Sequence, residues 1–253
     1  MNIKDTFDLI NFENSNINEK NKIASKIDDH LKNIGFLIVT NHGIKSNIIK
    51  NISLVLNSFF NKDQKFKNKF MAPYKGYPYG YFKSESEALA KSKGLETPPD
   101  LKESFNGGPF KTPKGKISKD ALDFCYLPTI WPDVDDFENS WKIYYNEMEN
   151  LSKRLMSVFA IALKLPSDYF TKFINNPISA LRALNYPLIQ KKVLPNQQRA
   201  GAHTDYGSLT ILLPLDSIQG LQIKNSNNRW VNVPNVKNSF IINIGDLMAL
   251  WTN

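Results

Sequence analysis

The sequence is poor in several features, and each shortage excludes a class of protein. It has a single cysteine, Cys125, so a disulfide cannot form within the chain, and a disulfide-stabilised secreted scaffold is excluded. No apolar run reaches the roughly 18 residues that a membrane-spanning helix needs. The first residues also lack the basic and apolar stretches of a secretory signal peptide. These absences favour a protein of the reducing cytoplasm without a membrane partner.

Arginine is scarce as well. The 253 residues carry a formal net charge of +8, but only four of the 32 basic residues are arginine. The lysines are dispersed, apart from a cluster between positions 62 and 69, and the chain has no arginine-rich helix or known nucleic-acid-binding motif. We therefore interpret the positive charge as a solvated, lysine-rich surface and expect no nucleic-acid partner.

The spacing of apolar residues predicts a helical first part of the chain. The predicted helices cover residues 19–34, 46–60 and 137–164. Residues 36–40 read as a short buried strand, followed by a turn at 41–43. The chain thus begins with amphipathic helices that need a partner surface for their apolar faces.

Residues 71–136 are rich in glycine, proline, tyrosine and lysine and have little periodicity. A loop of this length is usually functional or disordered, and its aromatic residues argue against disorder. We expect ordered irregular structure that contributes to a pocket. Candidate substrate contacts are the aromatic segment 74–82, the segment 100–110 and the helix near Trp141, with ordinary packing as the alternative.

From about residue 180 the pattern changes to short β-type runs separated by turn residues. The predicted strands cover residues 180–186, 209–214, 221–224, 230–233, 239–244 and 247–252. Strands at this spacing suggest a sandwich or a barrel. The simplest architecture is one domain, in which a helical first half packs on a C-terminal β-structure.

An imidazole and a carboxylate stand two residues apart at the head of one of these runs, in Ala-Gly-Ala-His-Thr-Asp-Tyr-Gly-Ser-Leu-Thr-Ile-Leu-Leu. In an extended strand, residues i and i+2 point to the same face, so His203 and Asp205 would project side by side. They would supply two of the three ligands of a 2-His-1-carboxylate Fe(II) site, which leaves coordination positions open. Because His-x-Asp pairs also occur by chance, a hydrogen-bonded histidine is the alternative for this motif alone.

Residues 199–224 resemble the core of the isopenicillin N synthase-like 2-oxoglutarate/Fe(II)-dependent dioxygenases. The similarity continues in Trp-Val-Asn-Val-Pro at 230–234 and Ile-Asn-Ile-Gly-Asp at 242–246, and it appears N-terminally at 35–44 and 96–105. The resemblance implies an α+β protein, in which a double-stranded β-helix (jelly roll) follows an N-terminal helical region. We expect one domain over 1–253: an N-terminal family region with substrate loops (1–110), a long support helix (137–165) and a partial jelly-roll core with the iron site (180–253).

The resemblance also implies roles for individual residues. His203 and Asp205 match the first histidine and the carboxylate of the family's iron site, so both are expected to be metal ligands and catalytic. Tyr186, just before Pro187, lies where family members often bind one carboxylate of 2-oxoglutarate, although a packed strand tyrosine is the alternative. The implied cofactors are Fe(II), 2-oxoglutarate and O2. The implied partner is a small organic substrate that is hydroxylated, desaturated or cyclised.

Two parts of the family's site have no match in the 253 residues. The distal histidine ligand and the arginine that binds the far carboxylate of 2-oxoglutarate are expected beyond residues 251–253, with the last jelly-roll strands. Arg182 and Arg199 are the nearest arginines but do not occupy the matching position. His42 is expected to be structural and His30 exposed. We therefore expect a C-terminally truncated fragment; the alternatives are an isopenicillin N synthase-like oxidase that does not use 2-oxoglutarate, and a non-catalytic remnant.

Overall fold

The computed structural model describes residues 5–190, 192–215, 220–225 and 227–252. The chain divides into two compact units. Unit 1 comprises Met1–Lys45, Glu147–Asn175 and Thr204–Asn253, and unit 2 comprises Ser46–Asn146 and Asn176–His203. The interpretation of the whole chain as one oxygenase-like domain stays a prediction. Within the described ranges, no helix is both long enough and apolar enough to cross a membrane.

The helices and strands of the described residues confirm the mixed α and β composition. In chain order they are β1 (Thr6–Asp8), α1 (Leu9–Asn14), α2 (Ile17–Ile34), β2 (Phe36–Thr40), α3 (Ser46–Phe60), α4 (Gln64–Asn68), β3 (Gly80–Phe82), a 3-10 turn (Leu89–Lys93), β4 (Glu103–Gly107), α5 (Lys119–Cys125), α6 (Phe137–Ala162), α7 (Thr171–Ile174), β5 (Leu181–Asn185), β6 (Leu209–Leu212), β7 (Gln222–Lys224), β8 (Trp230–Asn232), β9 (Phe240–Ile244) and α8 (Asp246–Thr252).

Unit 1 is built around a sheet with the strand order β1-β2-β9-β6. Strand β9 lies between β2 and β6 and pairs antiparallel with both. Its residues Phe240 and Ile242 are fully buried, as expected for a central strand of β-branched and aromatic residues. Helix α2 ends at Gly35, whose φ of 75° lies in the left-handed region that favours glycine. In this sheet β6, the first strand after the His-x-Asp segment, lies next to β9.

The predicted strand over residues 247–252 is wrong, because this segment forms helix α8. Met248 is buried, whereas Leu250 and Trp251 on other sides of the helix are exposed. Helical hydrogen bonds begin at once, since the amides of Met248 and Ala249 both donate to the carbonyl of Gly245. A short apolar run cannot be assigned to helix or strand from its composition alone.

Unit 2 contains a second sheet with the order β3-β4-β5. The segment 71–136, predicted to be irregular, contributes β3, β4 and α5 to this unit. The two strands escaped prediction because they are short, and β4 (Glu-Ser-Phe-Asn-Gly) is largely buried on both faces and shows no alternation. On one side of β4, Phe105 packs against Phe59 and Trp141 at ring-centroid distances of 5.6 and 5.1 Å.

Two tyrosines of the aromatic segment 74–82 pack inside unit 2. Tyr79 and Tyr81 are almost fully buried. The hydroxyl of Tyr79 donates to the carbonyl oxygen of Cys125 at 2.6 Å, and that of Tyr81 donates to the carboxylate of Glu103. These contacts favour the packing alternative for both residues over a role in binding substrate.

His30, predicted to be exposed, is buried with only 3% of its surface accessible. It lies on α2 beside Ile27 and Leu31, which are also buried. Lysine and aspartate neighbours suggested a solvated face, but the three-to-four-residue period places position 30 on the apolar side. Burial lowers the pKa of His30, and a backbone hydrogen bond at Phe36 partly opposes this effect.

Candidate metal centre

The carboxylate of Asp205 is oriented by two strands of the unit 1 sheet. Its Oδ2 accepts hydrogen bonds from Thr210 Oγ1 at 2.5 Å and from Asn243 Nδ2 at 2.7 Å. Thr210 lies on β6 and Asn243 on β9, and the two are directly paired across the strands. The donors therefore come from a rigid part of the unit and limit rotation of the carboxylate.

The backbone around Asp205 is held by the start of α8. The amide of Asp246 donates to the carbonyl of Asp205 at 2.7 Å, and the amide of Gly245 donates to the carbonyl of Ser208 at 3.1 Å. A Cβ on Gly245 would lie 2.1 Å from the carbonyl oxygen of Gly207 and 2.8 Å from that of Asp205. Only glycine permits this close approach, so Gly245 sets the path of the chain that carries Asp205.

His203 and Asp205 do not lie on a β-strand as predicted. Strand β6 begins at Leu209, and residues 201–208 form an irregular segment. The alternation of side chains along a strand therefore does not determine where these residues point. Hydrogen bonds orient them instead, from the backbone two residues earlier for His203 and from two strands for Asp205.

The imidazole of His203 is oriented by the backbone two residues earlier. Its Nδ1 lies 2.7 Å from the carbonyl oxygen of Gly201. Because a carbonyl only accepts hydrogen bonds, Nδ1 is the donor, and in the neutral imidazole Nε2 then carries the lone pair. This is the tautomer in which Nε2 can bind a metal, and metal-binding histidines commonly donate their other nitrogen to a carbonyl in this way.

Tyr186 follows β5 in unit 2 and is 43% exposed. Burial of its hydroxyl raises the pKa of the phenol, and Asp100 adds to this shift, whereas the charges of Arg182 and Arg199 lower the pKa. The net direction is upward, so the phenol stays protonated and able to donate near neutral pH. Tyr186 therefore combines a protonated phenol with two nearby guanidinium groups.

Both arginines near Tyr186 have protein partners. Arg182 pairs with the carboxylate of Glu87 and donates to Ser104 Oγ at 3.2 Å. Arg199 donates to the carbonyl of Pro187 at 3.0 Å. Their positive charges lower the pKa of Tyr186. The side chains themselves are held in place by these hydrogen bonds within unit 2.

Among the residues that the structure describes, no group of three or more His, Cys, Asp or Glu side chains is placed to hold a metal ion. His42 is structural as predicted: it is buried, its Nδ1 accepts from the amide of Ile44 at 3.1 Å, and its ring packs edge-on against Phe240. His203 and Asp205 offer one imidazole in the metal-binding tautomer and one oriented carboxylate. This donor set fits two positions of a non-haem Fe(II) site.

The prediction from sequence identified the two ligand candidates but missed the residues that orient them. Thr210 and Asn243 lie inside the segments that carried the family resemblance, yet nothing in their spacing shows that they meet at one carboxylate oxygen. Gly201 likewise stands two residues before His203 without a recognisable signal. These roles depend on pairing between strands and on loop geometry, which only the folded chain displays.

Two family models match the chain. The model described as non-haem dioxygenase in morphine synthesis N-terminal matches residues 6–134, which is about half of the chain. The model described as 2OG-Fe(II) oxygenase superfamily matches residues 178–253. The second range contains Tyr186, His203 and Asp205.

Individual relatives agree with the family models. Homoarginine-6-hydroxylase 2-ODD-233 of Oryza sativa subsp. japonica is 30% identical, and the match covers 92% of this chain and 70% of the rice protein. The 2-oxoglutarate-dependent dioxygenase caaD of Aspergillus niger is 28% identical, with 96% and 73% covered. A full-length Neurospora crassa protein, solved in complex with alpha-KG and thymine, is 26% identical; the match covers 97% of this chain and 75% of that chain, with a TM-score of 0.82.

Proposed function

Because the chain belongs to the isopenicillin N synthase-like 2-oxoglutarate/Fe(II)-dependent dioxygenases, a jelly-roll family, we propose that it hydroxylates a small organic molecule at an iron ion bound by His203 and Asp205. As a family member the protein is an oxidoreductase that uses Fe(II), 2-oxoglutarate and O2. The type of oxidation and the roles of individual residues are the proposal.

The observation that carries the proposal is the orientation of the two ligand side chains. Each is held by hydrogen bonds of the kind that prepares a residue for metal binding. His203 has its Nδ1 proton directed at the Gly201 carbonyl, and Asp205 has its Oδ2 directed at Thr210 and Asn243. Such contacts fix the tautomer of a histidine and the rotation of a carboxylate before the metal binds.

We assign Tyr186 as a contact for one carboxylate of 2-oxoglutarate. Its phenol is partly exposed and stays protonated near neutral pH, so it can donate a hydrogen bond to an anionic oxygen. The charges of Arg182 and Arg199 favour a dicarboxylate beside it. The alternative is that Tyr186 only packs at the end of β5. The variant Tyr186→Phe, which lacks the hydroxyl, distinguishes a co-substrate contact from packing.

Fe(II) and 2-oxoglutarate supply the oxidising chemistry when bound: oxidative decarboxylation of the co-substrate to succinate and CO2 accompanies oxidation of the substrate by O2. The residues of the chain hold the metal, orient the co-substrate and position the substrate. Hydroxylation is the first reaction to test because the rice relative is named a homoarginine hydroxylase. Desaturation and ring closure are its alternatives.

The test is conversion of 2-oxoglutarate to succinate by the purified protein of the complete open reading frame, supplied with Fe(II) and O2, because two parts of the family's site have no match in the 253 residues. A matched pair of variants separates metal binding from general damage. Asp205→Asn alters the proposed ligand, whereas Asp136→Asn alters another carboxylate that accepts two side-chain hydrogen bonds, from Asn139 and Ser140. We expect O2-dependent succinate formation in the wild type and in Asp136→Asn, and none in Asp205→Asn or His203→Ala. Equal turnover in all four proteins would refute the ligand assignment.

A Tyr186→Phe variant tests the co-substrate contact separately. Loss of one hydrogen bond to a charged carboxylate corresponds to about 1.5–3 kcal/mol, so we expect the KM for 2-oxoglutarate to rise by roughly 10- to 100-fold. The KM for the organic substrate should change much less. An unchanged KM for 2-oxoglutarate would leave Tyr186 as a packing residue.

A further inference from the structure

A buried carboxylate, Asp100, holds the backbone amide of Gly201, the residue whose carbonyl orients His203. Asp100 is 1% exposed, and its Oδ1 accepts a hydrogen bond from the amide of Gly201 at 3.0 Å. The carbonyl of the same residue, Gly201, accepts from His203 Nδ1. One glycine therefore connects a fully buried acid to the proposed iron ligand through one hydrogen bond on each side.

The second carboxylate oxygen of Asp100 also accepts hydrogen bonds. Its Oδ2 accepts from the ammonium group of Lys102 at 3.0 Å and from the amide of Leu89 at 3.1 Å. Lys102 is also buried and additionally pairs with Glu87 at 3.0 Å. With three donors on two oxygens, the carboxylate has little freedom to rotate.

Gly201 is confined on its remaining side. A Cβ on this residue would lie 2.8 Å from the backbone nitrogen of Ala90 and 2.9 Å from its Cβ. The adjoining segment is tied to the same region, because the amide of Leu101 donates to the carbonyl of Gln198 at 2.9 Å. Gly201 is thus confined between Asp100 and Ala90, both distant from it in sequence.

We propose that Asp100 is a positioning residue for the iron site: by holding the Gly201 amide it fixes the backbone of this residue, presents the Gly201 carbonyl to His203 and keeps that imidazole in the tautomer in which Nδ1 carries the proton. The inference rests on the proposed function only in taking His203 as an iron ligand. The hydrogen bonds that join Asp100 to Gly201 and Gly201 to His203 both lie within unit 2.

The tautomer can be measured directly by long-range proton–nitrogen NMR on the metal-free, nitrogen-15-labelled chain at a pH where histidine is neutral. The sequence has three histidines, so assignment by single substitution is simple. We expect the His203 signals of one tautomer, with Nδ1 protonated and Nε2 unprotonated. A wild-type spectrum in which Nε2 is protonated, or in which the two forms average, would overturn the proposal without any variant.

The variant Asp100→Asn tests the role of the carboxylate. Its single amide oxygen will face the two donors Leu89 and Lys102, and the amide NH2 will then oppose the Gly201 amide. We expect a mixed tautomer at His203 and about tenfold faster hydrogen exchange at the Gly201 amide. A wild-type tautomer together with wild-type exchange at Gly201 would contradict the proposal.

Glu103→Gln is the matched control. Glu103 is another buried carboxylate of unit 2, paired with Lys67 at 2.8 Å, but no hydrogen bond in the described residues connects it to Gly201. It should lower stability about as much as Asp100→Asn and leave the His203 tautomer unchanged. If both variants shift the tautomer equally, the effect is general destabilisation and the assigned role of Asp100 is wrong. If Asp100→Asn does not fold, the wild-type tautomer and the exchange rate at Gly201 still decide the question.

The same set of proteins separates this proposal from the proposed function. Fe(II) binding that survives His203→Ala would refute His203 as a ligand, whatever its tautomer. If Asp100→Asn has an altered His203 tautomer but binds iron normally, Asp100 controls the tautomer through Gly201, but the tautomer does not matter for metal binding. We expect instead about 10- to 100-fold weaker Fe(II) binding in Asp100→Asn, in the range typical for residues that orient a metal ligand.

Discussion

The two proposed iron ligands are oriented by different kinds of structure, although only Thr204 separates them in the chain. In unit 1, Asp205 receives side-chain hydrogen bonds from residues of two paired strands. In unit 2, His203 donates to the carbonyl of Gly201, and the amide of the same residue donates to a buried acid far away in sequence. One ligand therefore depends on a sheet that forms for general reasons of packing, and the other depends on a specific contact between loops.

The difference has a consequence for tolerance to mutation. A sheet distributes strain over many backbone hydrogen bonds, so removing one side-chain donor should affect the metal more than the fold. The loop contact that orients His203 depends on a few buried hydrogen bonds, and loss of one leaves a buried polar group unsatisfied, which lowers stability.

The largest contrast is expected between two glycines. Gly245→Ala places a methyl group 2.1 Å from the carbonyl oxygen of Gly207 in unit 1, whereas Gly201→Ala meets Ala90 at 2.8 Å in unit 2. We expect Gly245→Ala to lower the free energy of unfolding by about 3 kcal/mol or more, and Gly201→Ala by less. Urea denaturation measures both. Gly220→Ala, whose added methyl group meets no atom of the described residues within 4 Å, is the control and should change little.

The second prediction concerns the donors to Asp205. Thr210→Val and Asn243→Leu should each weaken Fe(II) binding about 10- to 100-fold, because the carboxylate loses a hydrogen bond that orients it. Anaerobic titration of the metal gives the affinity. Thr40→Val, in the same sheet but with its hydroxyl directed at Phe7, should bind iron like the wild type. Affinities that are equal in all three variants would show that the sheet does not prepare Asp205.

The third prediction uses the buried tyrosines of unit 2. Burial raises the pKa of Tyr79 to about 12 from the ordinary value of 10.0. Above pH 10 the unfolded chain loses this proton first, so stability falls as the pH rises from about 10 to 12. At pH 11, deprotonation of Tyr79 in the unfolded chain should lower the free energy of unfolding by about 1.4 kcal/mol, which urea denaturation measures. Tyr79→Phe should show a smaller loss between pH 9 and pH 11 than the wild type; an identical loss would rule out this source.

The fourth prediction concerns the buried histidines of unit 1. Burial is the main cause that lowers the pKa of His30 and of His42. Below the ordinary histidine value of 6.5 the unfolded chain takes up protons more readily than the folded chain, so stability falls as the pH drops below about 6.5. Hydrogen-exchange protection should therefore weaken in unit 1 in acid and in unit 2 in alkali. His42→Gln should reduce the acid effect, and uniform weakening across both units would contradict the assignment.

The sequence allowed much of the fold to be predicted where a regular period was present. The helices predicted over 19–34, 46–60 and 137–164 are found at Ile17–Ile34, Ser46–Phe60 and Phe137–Ala162. Periodicity failed where an element was short. The run after Gly245 is seven residues of helix, and β4 is five residues buried on most sides, so neither displays a repeat long enough to identify it.

The site was predictable to a smaller extent. His203 and Asp205 could be selected from residue type, spacing and family resemblance, but their orientation could not. The contact between Asp100 and Gly201 joins residues 101 positions apart, and the meeting of Thr210 and Asn243 at Asp205 depends on the register of β6 and β9. Such contacts follow from tertiary structure, because no local propensity or motif specifies them.

The most direct test is the stoichiometry of Fe(II) bound by the protein of the complete open reading frame in the presence of 2-oxoglutarate without oxygen, with the visible iron–2-oxoglutarate charge-transfer absorption recorded on the same samples. We expect one bound iron and the absorption in the wild type and in Asp136→Asn, and loss of both in His203→Ala and Asp205→Ala. Iron bound equally by all four proteins, or by none of them, would contradict the claim that His203 and Asp205 form the metal site.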